Sequence, residues 1–587
     1  MMDATAALTR SPLFEGLAPD EIEDIAAQMR PVRFAAGEQL CAAGDPSDRV
    51  WLITAGLVSW TAGATTGGGD IVLRMRKGDV IGAQDALTHQ DRSVTVVATS
   101  ESAALELSSD DLNRLARLHP QILVNVIETQ RERLFRASAR NASLFSANIR
   151  SSSDRRGEEV GLVAGPSLAG MIPRLHAAAQ TACPRPVTLV DRSLSIAGAL
   201  TQSDDLAAEN ATVLIQGDLD PANLATMLDE VDRVVALAGT AAEADQLGRV
   251  AKAAAGRRLE VVLVSEDARN ASRMWGAGSD ELIVRECAVG EGSPLGDTDL
   301  SWVARHLTRT KLGLALGAGG AKGFAHIGVL QVLEEAGYTV DYVGGSSIGG
   351  FVSSQLALGF GAAEIDMRMR QAFNADRLPD LFPGPFPRGT KSIDTLIELL
   401  KEATQGLSFS HCVIPLVVMT LDLTSRVPVA QREGLLWDAL VAALSVAGVF
   451  PERERDGHRL VDAIALVPVP TPAVLDEGAD VVVSVNLLGA ATHDAWPGVP
   501  MQEPEEPVKP KRRNALDTML EAMDLGQLDT STRLADLAQV AITPIFGPHD
   551  WRDFLLADRF MEAGRAAALE QLPALTALAR PVQLGVL

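Results

Sequence analysis

One stretch limits what this chain can fold into more than any other: LALGAGGAKGFAHIGVLQVLEEAGYTVDYVGGSSIGG, from Leu314 to Gly350. It holds two glycine-rich turns. Each follows a short apolar run that can be a buried strand, Leu312 to Leu316 and Tyr342 to Val343, and each leads into a helical pattern. Gly345-Ser346-Ser347-Ile348-Gly349 fits G-x-S-x-G, in which Gly345 and Gly349 permit the strained strand-to-helix turn that exposes a serine nucleophile. Gly317 to Gly323 alone is compatible with a nucleotide phosphate site or a tight turn. Together the two turns supply what acyl transfer needs: a nucleophile at Ser347 and, from Gly319, Gly320, Ala321 and Lys322, backbone donors for a tetrahedral oxyanion.

LALGAGGAKGFAHIGVLQVLEEAG followed by VGGSSIGG resembles the catalytic domain of patatin-like phospholipases, specifically the bacterial relatives of neuropathy target esterase. The resemblance implies an α/β hydrolase domain with Ser347 as nucleophile and the first turn as oxyanion element, Lys322 standing where an arginine is usual. Downstream, ALSVAGVFPERERDGHRLVDAIALVPVP is similar to the family segment that leads through a short hairpin to a catalytic aspartate. Gly448-Val449-Phe450-Pro451 matches its middle. Asp462 stands at the aspartate position, followed by Ala463 and Ile464 where the family has glycine and a small residue. Asp456-Gly457 reads as the hairpin turn. A Ser-His-Asp triad would need His411, His458, His493 or His549, none of which lies in a motif. His326 is expected to pack against or orient the first turn.

A length of 587 residues exceeds one core and predicts three or four domains at roughly 150 residues each. A net charge of -24 argues against nucleic-acid binding and against broad adhesion to anionic membranes. Cys41, Cys183, Cys287 and Cys412 are far apart, so neither a metal site nor a disulfide framework is predicted. The N-terminal residues lack a signal-like apolar core, and no run approaches the roughly 18 apolar residues of a membrane span. A cytoplasmic protein with at most peripheral membrane contact is expected.

Residues 1–140 alternate short strands with turns at Gly37, Gly44, Gly56, Gly78 and Gly82, then end in helices, which predicts an antiparallel barrel. LFEGLAPDEIEDIA, FAAGEQLCAAGDPSDRVWLITAGLV and KGDVIGAQDALTHQDRSVTVVA resemble a cyclic-nucleotide-binding domain. That resemblance implies cAMP or cGMP as an effector at Gly82, Arg92 and Ser93, with Arg92 on the cyclic phosphate. Ala83 replaces the family's ribose-binding glutamate, and a degenerate barrel retained for packing or dimerisation is the alternative. Pairing would run through the helix from Pro120 to Arg136.

Residues 141–157 read as a linker. Residues 158–300 alternate apolar runs (Glu159 to Ala164, Val187 to Val190, Val213 to Gln216, Val234 to Leu237, Val261 to Val264, Leu282 to Val284) with alanine-rich helices, predicting a Rossmann-like parallel α/β spacer. Its first turn, Gly165 to Gly170, lacks the Gly-Lys-Ser/Thr of a phosphate loop, and Asp191 would meet a ribose only in a dinucleotide fold whose glycine fingerprint is missing. Residues 301–587 form the catalytic domain. There Phe373, Phe382 and Phe386 cluster around a proline-rich loop that reads equally as a lipid-facing rim or as core.

The expectation is a multidomain α/β protein with an N-terminal β-barrel and flanking helices, a central Rossmann-like domain and a patatin-like hydrolase domain. It would cleave carboxylic esters of phospholipids or lysophospholipids through a Ser347–Asp462 dyad, with no metal. The alternative is a regulatory or binding protein whose decayed sites are marked by Ala83, Ala463 and Ile464.

Overall fold

The computed structural model describes residues 4–127 (except 10, 57, 63–70, 76–77 and 99–100), 158–190, 206–207, 211–253, 259–265, 283–288, 295–382, 391–488 (except 448) and 526–582 (except 547–548 and 550). Two compact units divide the chain, Met1–His176 with Arg185–Gly296, and Ala177–Pro184 with Asp297–Leu587. Among the described residues no helix is long and apolar enough to cross a membrane.

The N-terminal part of the first unit is a pair of four-stranded antiparallel sheets. One orders Arg30–Phe34, Ser102–Ser108, Arg49–Ala55 and Val80–Ile81; the other orders Gln39–Cys41, Thr95–Ala98, Val58–Ala62 and Ile71–Met75. All five turn glycines adopt positive φ, the conformation that favours their lack of a Cβ. The Ser108 hydroxyl accepts the Asp111 N–H at 3.1 Å and so caps the helix Ser109–Leu118. The later part of the helix expected to reach Arg136, and the linker 141–157, lie outside the described residues.

The same unit contains a six-stranded, wholly parallel sheet ordered Val187–Val190, Thr212–Gly217, Glu159–Ala164, Arg233–Ala238, Leu259–Ser265, Ile283–Ala288. In chain order this is 2-3-1-4-5-6, which differs from the 3-2-1-4-5-6 order of the dinucleotide fold in its first two places. The last strand starts one residue later than the apolar run beginning at Leu282 suggests, and it continues through the polar Arg285 and Glu286. In the crevice between the Glu159–Ala164 and Arg233–Ala238 strands lies a carboxylate of the chain itself. Glu243 accepts hydrogen bonds from the Ser167 N–H (3.1 Å) and hydroxyl (2.8 Å), the Gly239 N–H (2.8 Å) and the Thr240 N–H (3.1 Å). Asp191 lies outside the described residues.

Among the described residues the second unit has eight strands: β1 (Leu312–Leu316), β2 (Tyr342–Ser346), β3 (Leu416–Asp422), β4 (Val427–Gln431), β5 (Arg453–Arg455), β6 (His458–Asp462), β7 (Val481–Val485) and β8 (Val540–Ile542). Their order is β5-β6-β3-β2-β1-β7-β8, with β4 on β3. From β3 to β8 the sheet is parallel, and β1, β3 and β7 are buried at every residue, as strands covered on both faces must be. Helices α1 (Phe324–Glu335) and α2 (Ile348–Ala357) follow β1 and β2. The closing helix α3 (Ala557–Leu578) crosses α1 with backbones almost touching: a Cβ on Gly328 would overlap the Met561 carbonyl, and one on Gly564 the Ala325 carbonyl. Because β1 lies between β2 and β7, the chain leaves it in opposite directions, and the resulting crevice at the carboxyl ends of these strands is where such sheets hold ligands.

Candidate active site

Both glycine turns open into that crevice. At the end of β2 the backbone of Ser347 takes φ 53° and ψ -126°, a conformation that a side-chain-bearing residue holds only when its surroundings impose it. The surroundings are visible. A Cβ on Gly345 would overlap the Gly349 carbonyl, and one on Gly349 would overlap the Leu316 carbonyl at the end of β1. The first turn of α2 is thus pressed against both neighbouring strand ends, and only glycine fits on either side of the serine.

Asp462 arrives from the other side of the sheet. It ends β6, opposite Thr420 of β3, and its N–H donates to the Ser445 carbonyl at 3.0 Å. Asp456 (φ 52°) and Gly457 (φ 81°) make the turn between β5 and β6, so this D-G pair is the hairpin. One carboxylate oxygen of Asp462, Oδ1, accepts the Ile464 N–H at 2.9 Å. The other, Oδ2, is buried and has no partner of normal hydrogen-bond geometry. Burial pushes the Asp462 carboxyl up to about 7, opposed by the nearby Ser347 hydroxyl and the Ile464 N–H. The Ser347 hydroxyl thus lies beside the Asp462 carboxylate. Ala463 is fully buried, and Ile464 turns its side chain into the wall of the cavity beside Ser347.

Four amides of the first turn are already engaged. Gly317 N–H donates to the Val485 carbonyl (3.0 Å), Ala318 to Pro468 (2.8 Å), Ala321 to Trp551 (2.6 Å) and Lys322 to Gly319 (3.2 Å). Of the four residues grouped as oxyanion donors, Ala321 and Lys322 thus have N–H groups directed elsewhere, whereas those of Gly319 and Gly320 make no backbone hydrogen bond. His326 on α1 braces the turn, its Nε2 2.9 Å from the Gly317 carbonyl. Burial lowers its pKa to about 4 against the raising effect of that carbonyl, so the ring is neutral and Nε2 carries the donated hydrogen.

The other histidines go elsewhere. His411 pairs with the Ser408 hydroxyl at 2.8 Å, and His549 lies edge-on to Phe560. His458 lies 2.7 Å from Asp422, whose carboxyl is held well below the usual range by the Ser425 hydroxyl, burial opposing, and by His458 itself. His493 lies outside the described residues.

A cavity of about 810 Å³, counted to its open mouth, extends from Ser347, Gly319, Gly320 and Lys322. Apart from these its walls are apolar, among them Phe373, Leu381, Phe382, Leu396, Phe450, Ile464, Trp551 and Phe554. Phe373 is buried and Phe382 half-buried, so both serve as cavity wall and core; Phe386 lies outside the described residues, as does Gly448. Trp551 was not singled out from the sequence. The available signal was a tryptophan followed by Phe554 just ahead of the last helix, in a chain with only 4% aromatics.

In the barrel, Gly82 (φ 81°) starts the helix Ala83–Thr88. Arg92 is buried beneath it, donating to the Arg49 carbonyl and lying 5.1 Å from the Trp51 ring centroid, while its Nε and Nη1 have no hydrogen-bond partner. The Ser93 hydroxyl donates to Asp85 at 3.3 Å, and Ala83 offers no acceptor.

Two segments of the chain match known protein families. Residues 314–475 match the patatin-like phospholipase family and residues 31–119 the cyclic nucleotide-binding domain family. The chain is 24% identical over 536 residues to human patatin-like phospholipase domain-containing protein 6, covering 77% of this chain and 37% of that protein. It therefore spans little more than a third of the vertebrate relatives it matches. It is also 24% identical over 610 residues to an NTE family protein of Mycobacterium tuberculosis, covering 98% of each. Among solved structures, the catabolite activator protein of Thermus thermophilus matches 23% of this chain and 68% of its own at 26% identity, with a TM-score of 0.20. The chain thus carries a segment that matches patatin-like phospholipases and one that matches cyclic nucleotide-binding domains, and it is similar along nearly its whole length to proteins of the NTE family.

Proposed function

We propose that the protein is a serine lipid acyl hydrolase that cleaves carboxylic esters of phospholipids or lysophospholipids through Ser347 and Asp462. The observation that carries this reading is the strained Ser347 beside a buried carboxylate whose Oδ2 has no hydrogen-bond partner. Asp462 takes the proton from the Ser347 hydroxyl as its oxygen attacks the ester carbonyl. The Gly319 and Gly320 N–H groups receive the negative charge that forms on the carbonyl oxygen. Collapse expels the alcohol, which takes the proton from Asp462, and water then enters by the reverse of these steps to release the fatty acid. The apolar cavity accommodates the acyl chain. In this reading residues 1–140 are the nucleotide-binding-like domain, 141–157 the linker, 158–300 the spacer and 301–587 the hydrolase, with peripheral membrane contact.

A fluorophosphonate probe tests the assignment. It is expected to label wild-type protein at Ser347, to miss Ser347→Ala, and to react far more slowly with Asp462→Asn. Labelling that survives Ser347→Ala would overturn it.

A second reading concerns regulation and rests on Arg92, a buried guanidinium with two unpartnered nitrogens at the position that pairs a cyclic phosphate. It supports cAMP or cGMP as an effector, bound weakly because Ala83 cannot hold the ribose: one missing charge-assisted hydrogen bond costs about 1.5–3 kcal/mol. Calorimetric titration should show binding that Arg92→Leu abolishes; identical heats for the two proteins would remove the effector role.

A further inference from the structure

The oxyanion turn is not held by its own helix alone. Its central amide, Ala321 N–H, donates 2.6 Å to the carbonyl of Trp551, a residue 230 positions further along the chain. The same residue covers Gly320: a Cβ there would lie 2.5 Å from the Trp551 carbonyl and 3.1 Å from Cε3 of its indole. With Ala321 tied outward and His326 holding the Gly317 carbonyl from within, Gly319 and Gly320 are the two amides left to face Ser347.

What holds Trp551 is equally specific. Its indole meets Phe382 edge-on at 5.6 Å between centroids, and Phe382 stacks on Phe554 at 6.1 Å. Phe554 in turn stacks on Phe373 at 4.7 Å, and Phe373 contacts Phe351 on α2, one helical turn beyond Ser347. On its other side Trp551 leads into α3, which is locked to α1 through Gly328 and Gly564. The nucleophile's helix and the oxyanion turn's helix are thus both connected to this one tryptophan.

We infer that Trp551 is a positioning residue for the oxyanion turn: the packing of its indole fixes its carbonyl, and through Ala321 the carbonyl aims the Gly319 and Gly320 amides at the reacting oxygen. This rests on Ser347 being the nucleophile. A donor displaced by an ångström loses much of its transition-state value. A ring that only lined the cavity would instead affect esters with long acyl chains.

The test compares full-length Trp551→Ala and Trp551→Phe with wild type on p-nitrophenyl acetate, whose acyl group is too short to fill the cavity, and on p-nitrophenyl decanoate. Trp551→Ala is expected to lower kcat for both esters by about 10- to 100-fold, with KM for the acetate ester little changed. Affinity for a trifluoromethyl ketone, which forms an oxyanion on the serine, should fall in parallel. Trp551→Phe is expected to recover most of kcat, and melting curves report whether each variant is folded. An unchanged kcat for the acetate ester in folded Trp551→Ala, with only KM for decanoate raised, would reduce Trp551 to a wall residue. If wild type escapes fluorophosphonate labelling at Ser347, the reading of the site fails with it; if wild type is labelled while Trp551→Ala keeps its kcat, only the role of Trp551 fails.

Discussion

In the proposed mechanism Asp462 works as a base in a place that favours its acid form. Burial raises its carboxyl from 3.8 to about 7, so near neutrality it can accept the Ser347 proton and later return it. The rate and the stability should respond to pH in opposite directions. Ester hydrolysis is expected to rise as the carboxyl ionises, giving kcat/KM an acid limb with an apparent pKa near 7. Stability behaves otherwise because the folded pKa lies above the unfolded one: the contribution is complete below 3.8 and is lost as pH rises through about 7. Asp462→Asn should therefore abolish turnover and melt at a higher temperature than wild type at pH 8, the difference shrinking by pH 5. Calorimetry at the two pH values checks this. Ile464, whose identity departs from the family pattern, still gives its N–H to Asp462 while its side chain joins the cavity.

At the level of elements, two contacts are stated by geometry and were invisible in composition. The α1–α3 crossing requires Gly328 and Gly564, so Gly328→Val should destabilise the protein by at least about 1–3 kcal/mol, as overpacking against a fixed backbone does. Urea denaturation followed by tryptophan fluorescence measures it. In the parallel sheet Glu243 occupies the switch-point crevice, where related folds place a ligand's anion. Burial alone would raise its pKa, but the bonds from Ser167, Gly239 and Thr240 outweigh it and hold the carboxyl below its usual 4.5. Its contribution is thus present above that value and lost as pH falls through the folded pKa. Glu243→Gln, which turns donors toward donors, is expected to cost about 1–3 kcal/mol at pH 7 in the same assay.

The strands of the parallel sheet were legible as apolar runs, and the β-barrel turns as glycines, because both patterns are local. The two turns of the site were legible because glycine spacing records a steric demand at Ser347. Trp551 and its engagement of the Ala321 N–H were not, since they depend on a carbonyl that reaches Ala321 from far along the chain. The burial that raises the pKa of Asp462 is likewise a property of the packing around β6.

For the molecule as a whole, charge and surface oppose one another. The net charge of -24 repels anionic bilayers, while Ile545 and Leu555, each 72% exposed, bracket Trp551 in sequence and offer apolar contact. Binding to phosphatidylcholine vesicles is therefore expected to exceed binding to phosphatidylglycerol vesicles at low salt, the gap closing as salt screens the charge. Co-sedimentation with each vesicle type gives the comparison.

The position of β7 and β8 has a practical consequence. The family match ends at residue 475, yet β7, which pairs directly with β1, begins at Val481, and β8, Trp551 and α3 follow later still. A recombinant fragment trimmed to the matched segment would leave the central strand without a neighbour on one side and would uncover α1. Such a fragment should be insoluble however intact its serine and aspartate, and a boundary drawn from family similarity alone would cut this domain through its own core.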